Sequence, residues 1–470
     1  MKHHAFHHFF YYFLMLLVFL SQSLWAVPVQ EFQLDNGLKI LIKEDHRAPV
    51  VVSQIWYKVG SSYEHQGITG ISHVLEHMMF KGTPTHPAGS FSRIIAAQGG
   101  SENAFTGRDY TAYFQSLESQ RLAVSFALEA DRMRQLQLPP EEFAKERQVV
   151  LEERRLRTDD QPQALVQEYF NGTAFVSSPY HWPVIGWGED IRAITVDDLR
   201  AWYQRWYAPN NATLVVAGDV NPAEVKNLAD RYFGPLAKEA GLTPPPRTTE
   251  LPQRGERRLM VKVPARLPYL VMGYQAPVVS SVAQDSKEGD ESWEPYALEL
   301  LAHILDGDDS ARFSRELVRG RQVAATAGAG YGLYSRLGDL FTLDGTPAQG
   351  KTLAELETAL REQIRQVREQ PVTETELERV KVQLRASKVY QRDSLFYQAM
   401  QLGMLTTLGL DWRLDETYLD RIRDITPEQL QVVARKYLQD DHLTVAYLEP
   451  QPLAAGQRTV ETSGAGDYVH

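Results

Sequence analysis

The chain has 470 residues, 43% of them hydrophobic, with a formal net charge of -11 and no cysteine. That length and apolar content can bury more than one core, while the acidic balance offers no grip on nucleic acid or an anionic membrane surface. Without cysteine there are no disulfides and no thiolate ligands, so any metal has to be held by His, Asp or Glu.

The opening residues, MKHHAFHHFFYYFLMLLVFLSQSLWA, carry Lys2 and several histidines, an apolar stretch from Phe9 to Leu20, then small and polar residues up to Ala26. This is the layout of a secretory signal peptide over residues 1–26. Its apolar part is shorter than the roughly 20 residues that a spanning helix needs, so cleavage after Ala26 is expected, with no stable membrane span afterwards. An exported, cysteine-free chain suits the periplasm of a Gram-negative bacterium.

Next, VQEFQLDNGLKILIKED reads as two strands around an Asp35-Asn36-Gly37 turn. VVVSQIWYKVG is a third strand. Gly67 to Phe80 is apolar at helical period and stops near Gly82. SENAFTGRDYTAYFQSL alternates as a strand or hairpin. PPEEFAKERQVVLEERRLR has prolines at its start, acids in its first turn and arginines in its last, which predicts a helix. EAGLTPPPRTTELPQRGERR is rich in proline and charge and reads as a linker, with its boundaries set at 241–258. VSSVAQDSKEGDESW (279–293) reads as a long surface loop, and residues 454–470 as a disordered tail.

The two sides of the linker resemble each other. ITVDDLRAWYQRWYAPNNATLVVA from Ile194 and ITPEQLQVVARKYLQDDHLTVAYL from Ile425 align without a gap. They share Ile-Thr, an acid, a Leu, an aromatic (Trp206, Tyr437) and a Thr before the closing strand (Thr213, Thr444). The expected fold class is α+β: two homologous α/β halves, 27–240 and 259–453, each an antiparallel sheet with helices packed on it.

The chemistry-bearing stretch is HVLEHMMFKGT, residues 73 to 83. His73 and His77 stand one helical turn apart and project from one face. Neutral imidazole is a common metal ligand, and two rings at this spacing can grip one zinc ion. Glu76 lies on the same side, able to reach a water activated by the ion. The order His-x-x-Glu-His is the inverted form of the better-known zinc-peptidase motif. A catalytic zinc takes a third protein ligand and leaves one position open. With no cysteine, that ligand should be a carboxylate from the helix at 141–157, where Glu146 and Glu153 share a face and Glu152 points elsewhere. Two turns of helix, about 10.5 Å, separate them, so one is a ligand and the other supports it. Spacing does not say which. A solvated charged face is the plainer reading of this helix taken alone.

GITGISHVLEHMMFKGT, then SENAFTGRDYTAYF, then KERQVVLEERR resemble the pitrilysin–insulysin family of zinc peptidases, in its shorter, bacterial, mitochondrial-processing-peptidase-like branch. The resemblance continues through WPVIGWGEDIRAITVDDLRAWYQRWYAPNNATLVVAGDV and resumes with LDGDDSARFSRELVRGRQVA, covering most of the mature chain. It implies a clam-shell arrangement of the two halves, one Zn(2+) per chain on His73, His77 and Glu153, Glu146 as a supporting residue, and Glu76 as general base. Asn103 and Ala104 match positions on an edge strand where a peptide adds itself by backbone hydrogen bonds; taken alone, Asn103 would read as a turn residue. One departure stands out. Active members complete the site with an Arg and a Tyr, seven apart, on the second half, and no such pair exists beyond the linker here. The segment expected to hold it offers Asp339, Leu340 and Phe341. The resemblance thus implies a homodimer, or a heterodimer with a sister chain that supplies the Arg/Tyr pair.

The expected function is that of a periplasmic zinc endopeptidase acting on peptides or unfolded segments. The alternative is a non-catalytic peptide-binding or scaffold subunit of a family heterodimer. By ligand type zinc is favoured, with manganese or cobalt as substitutes.

Overall fold

The computed structural model describes residues 28–285 and 291–453. The expected signal peptide and the expected tail lie outside the described residues, and among these no helix is long and apolar enough to cross a membrane.

The first half opens with β1 (Gln30–Gln33) and β2 (Lys39–Glu44), antiparallel around the turn at Gly37, whose φ is 92°. There the Asn36 amide donates to Phe233 O and Leu236 O at 2.7 and 3.0 Å. Then come β3 (Val50–Tyr57), α1 (Ile71–Met78), and a hairpin of β4 (Ser101–Thr106) and β5 (Thr111–Glu118). The charged helix is α2 (Pro140–Arg154), prolonged by a π turn, and is followed by α3 (Pro162–Ala174), α4 (Val196–Trp206) and β6 (Ala212–Gly218). The strand order is β1-β2-β6-β3-β5-β4. All neighbours are antiparallel except β2 and β6, so the sheet is mixed rather than wholly antiparallel.

The second half runs β7 (Arg257–Pro264), β8 (Tyr269–Ala276), α5 (Glu294–Asp306), β9 (Ala324–Tyr331), β10 (Asp339–Pro347), α6 (Leu395–Thr407), α7 (Pro427–Tyr437) and β11 (Leu443–Gln451). Its order, β7-β11-β8-β10-β9 with β7 and β11 parallel, repeats the first sheet strand for strand without β1. The internal repeat has a local cause. Thr195 and Thr426 each close a capping box, donating and accepting with the residue three positions on, and so start α4 and α7 at matching places.

Two boundaries differ from expectation. β7 begins at Arg257, within the expected linker, and the stretch before it is pinned by Glu250, whose carboxylate accepts the N–H groups of Val176, Ser177 and Ser178. The polar stretch from 279 is not all loop: Val279–Asp285 is helical. Buried Val278 and Val282, one turn apart, anchor it beneath a polar surface that masks them in the sequence.

Both faces of each sheet are apolar, and the outer face of each is covered by the other half. On the first sheet, Val51, Ile55 and Tyr57 face that half's own helices, while Val52 and Trp56 alternate to the opposite side. There they meet Ala399 and Leu402 of α6 and Trp412. Reciprocally, Val166 and Phe170 of α3 pack on Val261, Val271 and Ala446 of the second sheet. The two halves of the shell therefore clasp each other, and parting them would expose both clusters to water. Gly403 permits the closest approach: a Cβ there would lie 2.1 Å from Nε1 of the buried Trp56. Gly403→Ala is expected to destabilise the chain by about 1–3 kcal/mol through overpacking. An unchanged urea midpoint would show that α6 can shift away without cost.

A buried polar contact joins the halves at the tip of the β4–β5 hairpin. The Asp109 carboxylate accepts from Ser62 Oγ (2.7 Å), Tyr180 OH (2.5 Å), Arg336 N (3.0 Å) and Arg336 Nε (3.3 Å). Beside it Arg108 pairs with Asp339 at 3.1 Å and lies over the Tyr180 ring. Every carboxylate lone pair that burial strips of water finds a donor, which is the condition for such a pair to be tolerated inside.

Candidate active site

Helix α1 is held at its start by carboxylates. Glu64 accepts the N–H of Gly70 (2.7 Å) and of Ser72 (2.9 Å), two donors that the first turn of a helix leaves unpaired. Asp190 accepts from Gly67 N, Thr69 N and Thr69 Oγ1. Gly70, at φ 87°, stands back to back with Gly186; a Cβ at Gly70 would come 2.4 Å from Ile185 O. Ile71, Val74, Leu75 and Met78 enter the core and so fix the rotation of the helix. Helix α2 is fixed by buried Phe143 and Val150, two turns apart, and at its end by Arg154, which donates both guanidinium arms to Glu168 at 2.7 and 2.8 Å. Glu152 is turned outward to Arg155, as its position on the helix predicted.

These constraints bring His73, His77 and Glu153 together, each offering one ligand atom within 4.8 Å of the others. His77 Nε2 lies 3.3 Å and His73 Nε2 3.8 Å from Glu153 Oε2. Bonds of about 2.0–2.2 Å in a tetrahedral zinc site separate ligand atoms by roughly 3.3–3.6 Å. The His77–Glu153 pair has that spacing and the His73–Glu153 pair is slightly wider, so two imidazoles and a carboxylate of the kind that ion takes stand close to the separation it needs. Glu146 lies one step further out, 3.0 Å from His77 Nδ1 and 2.5 Å from Lys81 Nζ. Its carboxylate accepts a hydrogen bond from Nδ1–H and leaves Nε2 turned toward Glu153, an arrangement that orients a metal-binding imidazole. Arg157 pairs with the other oxygen of Glu153 at 3.2 Å.

Burial pushes His77 down, but its bonds to Glu146 and Glu153 and the charges of Glu76 and Glu153 outweigh this and lift its pKa to about 9. Burial pushes Glu146 up, and its bonds to His77 and Lys81 hold it below 4.5 all the same. In the metal-free site His77 is a cation among carboxylates at neutral pH. Its folded pKa exceeds the ordinary 6.5, so this proton stabilises the metal-free chain fully below pH 6.5 and ceases to as pH rises through about 9. A divalent ion has to displace it. Glu146→Gln is expected to weaken zinc binding about 10–100-fold, measured by competition with a chelating dye; unchanged affinity would remove Glu146 as the orienting partner.

Glu76 is buried on α1 and accepts from Thr106 Oγ1, at the end of β4, at 2.5 Å. Strand β4 closes one side of its sheet with only β5 beside it, and carries Asn103 and Ala104. The Ala104 N–H donates to Asn103 Oδ1 at 2.8 Å, so this edge amide is engaged by the neighbouring side chain. Thr106, Lys81, Arg157 and Glu64 escaped the reading of the sequence. Lys81 alone left a local signal, four residues beyond His77 and just past the end of α1. Asp339, found where an Arg/Tyr pair was sought, serves as the partner of Arg108. In the second half α5 occupies the place of α1 and has a single histidine, His303, with Leu298, Leu301 and Ala302 buried in its core.

Two family models match the chain, and the boundary between them falls inside the first half, before α4, rather than at the linker. Residues 39–186 match the family described as Insulinase (Peptidase family M16), and residues 193–384 match Peptidase M16 inactive domain. The zinc protease PqqE of Helicobacter pylori is 32% identical over 463 residues, 96% of this chain and 100% of that protein. The crystal structure of a protease from Helicobacter pylori superposes with a TM-score of 0.84 at 29% identity, over 90% of this chain and all of that one. The periplasmic protease PqqL of Escherichia coli shares the fold, with a TM-score of 0.74 at 19% identity over 94% of this chain and 52% of that one. Two clasped halves, one bearing the His-x-x-Glu-His helix and one without it, together with a relative of this identity along nearly the whole length, make the chain a member of the M16 peptidase family.

Proposed function

We propose that the chain is a zinc-dependent endopeptidase of the periplasm that hydrolyses peptides or unfolded segments. The observation that carries this reading is the convergence of His73 Nε2, His77 Nε2 and Glu153 Oε2 beside the buried carboxylate of Glu76. Zinc held by those three residues would polarise the scissile carbonyl and lower the pKa of water toward about 7. Glu76 takes the proton of the attacking water and later delivers it to the leaving amine. Glu146 keeps His77 oriented, and Lys81 keeps Glu146 charged. A peptide adds to the edge of β4 at Asn103 and Ala104, reading main chain more than side chains; Asn103 then has to release the Ala104 N–H. The related zinc protease and the periplasmic fold neighbour support zinc use and location, alongside the signal-like first 26 residues.

Since the second half lacks the Arg/Tyr pair, another chain would complete the far wall of the site. A second copy, or a sister chain with the Arg/Tyr pair, would supply it. The match of residues 193–384 to an inactive domain favours a second reading, a peptide-binding subunit without turnover of its own. One experiment separates them: the purified mature chain, alone and with any co-purifying chain, is assayed on a quenched fluorescent unfolded peptide with and without chelator. The expected result is one zinc per chain, with hydrolysis stopped by chelator, restored by zinc and strongest in the paired form. Peptide binding without cleavage in every form would establish the second reading instead.

A further inference from the structure

Thr106 has no part in the reaction as set out above. Its side chain and that of Glu76 are both buried, 6% and 3% exposed, and its Oγ1 lies 2.5 Å from Glu76 Oε2. A carboxylate can only accept, so Thr106 donates, in a charge-assisted contact of the strong class. The nearby hydroxyls of Tyr113 and Tyr207 are bonded to each other at 2.9 Å.

The place of Thr106 in the strand adds a second property. The hairpin turn is closed by Gly107 N to Tyr110 O, and the antiparallel register pairs Thr106 with Thr111 and Ala104 with Tyr113. Counting from the turn, bonded and non-bonded pairs alternate. Ala104 and Thr106 fall on non-bonded pairs, with their backbone groups directed away from β5 to the edge where an added strand would lie. The same residue thus presents its backbone to the peptide-docking edge and its hydroxyl to Glu76.

We propose that Thr106 is a positioning residue for the general base. Its hydroxyl pins Oε2 of Glu76, which sets the direction of the carboxylate beside His73 and His77 and ties it to the strand on which the peptide docks. Glu76 reaches the site through several rotatable bonds, and this donor restricts them. The proposal rests on the peptidase reading for what Glu76 does; the pin itself does not.

The test compares Thr106→Val, which keeps the shape and removes the donor, with Thr106→Ser, which keeps the donor. Thr106→Ala is a second donor-less variant, with no added methyl against Glu76. All are made in the full mature chain, paired if activity requires pairing. In crystals of the zinc-loaded variants, Oε2 of Glu76 should leave its wild-type position in the Val and Ala proteins and keep it in the Ser protein. Zinc content should match wild type in all three. Misplacing a reacting group by about 1 Å costs about 100-fold, so kcat should fall about 10–100-fold in the Val and Ala proteins, with KM within about twofold, and return to within about threefold of wild type in the Ser protein. An unmoved Glu76 without the hydroxyl overturns the proposal, as does a loss confined to KM or a Ser protein as impaired as the Val one. Should the wild type cleave no peptide while Glu76 still moves in Thr106→Val, the peptidase reading is lost and the positioning role stands.

Discussion

Glu76→Gln should leave one zinc per chain in place and reduce peptide hydrolysis about 100- to 10,000-fold, the range over which a positioned general acid–base group acts. The substitution is nearly isosteric, and Gln can still accept a hydrogen bond from Thr106 Oγ1, now 2.5 Å from the carboxylate. It cannot take a proton from water. Burial at 3% exposure keeps bulk solvent from substituting for the missing base. The loss should appear in kcat, because docking on the β4 edge does not involve this side chain. Metal analysis and steady-state kinetics on the same preparation provide the check. Turnover close to wild type with zinc present would exclude Glu76 as the base, and loss of zinc would make it a ligand instead.

The second large effect concerns Glu153. Glu153→Gln is expected to lower zinc affinity by well over the roughly 100-fold that marks the loss of a supporting residue, since it replaces an anionic ligand by a neutral amide oxygen that binds zinc far more weakly. The mutation also takes from Arg157, now 3.2 Å from Glu153, the carboxylate it pairs with, and leaves its positive charge uncompensated beside the site. A cation there opposes a divalent ion. Dialysed Glu153→Gln protein should hold little zinc, whereas Glu146→Gln should load at higher metal concentration. If the two variants ranked the other way, the assignment of ligand and supporting residue would be reversed.

Much of the first half was legible because its signals are local. Alternation over VVVSQIWY yields a strand whichever faces it buries, and Thr195 and Thr426 start helices through contacts within four residues. The pairing of His73 with His77 follows from one helical turn and needs no tertiary information. The helix at Val279–Asp285 was missed for a converse reason: two buried valines are too weak a pattern to stand out from polar neighbours.

Sequence by itself determined that His73, Glu76 and His77 share one helix face, that Glu146 and Glu153 share another, and that a repeated helix–strand unit marks two halves. Spacing left open which of Glu146 and Glu153 meets the imidazoles, and only the resemblance pointed to Glu153. The tertiary structure turns Glu153 to both and sets Glu146 behind His77, because that choice depends on how α1 crosses α2. It alone joined Thr106 to Glu76, 30 residues apart, and Asp109 to Arg336, 227 apart. The physical reason is one of range. Backbone sterics and side-chain periodicity act within a few residues and leave their mark in composition, whereas a contact between distant segments is settled by packing of whole elements and imprints no period on either.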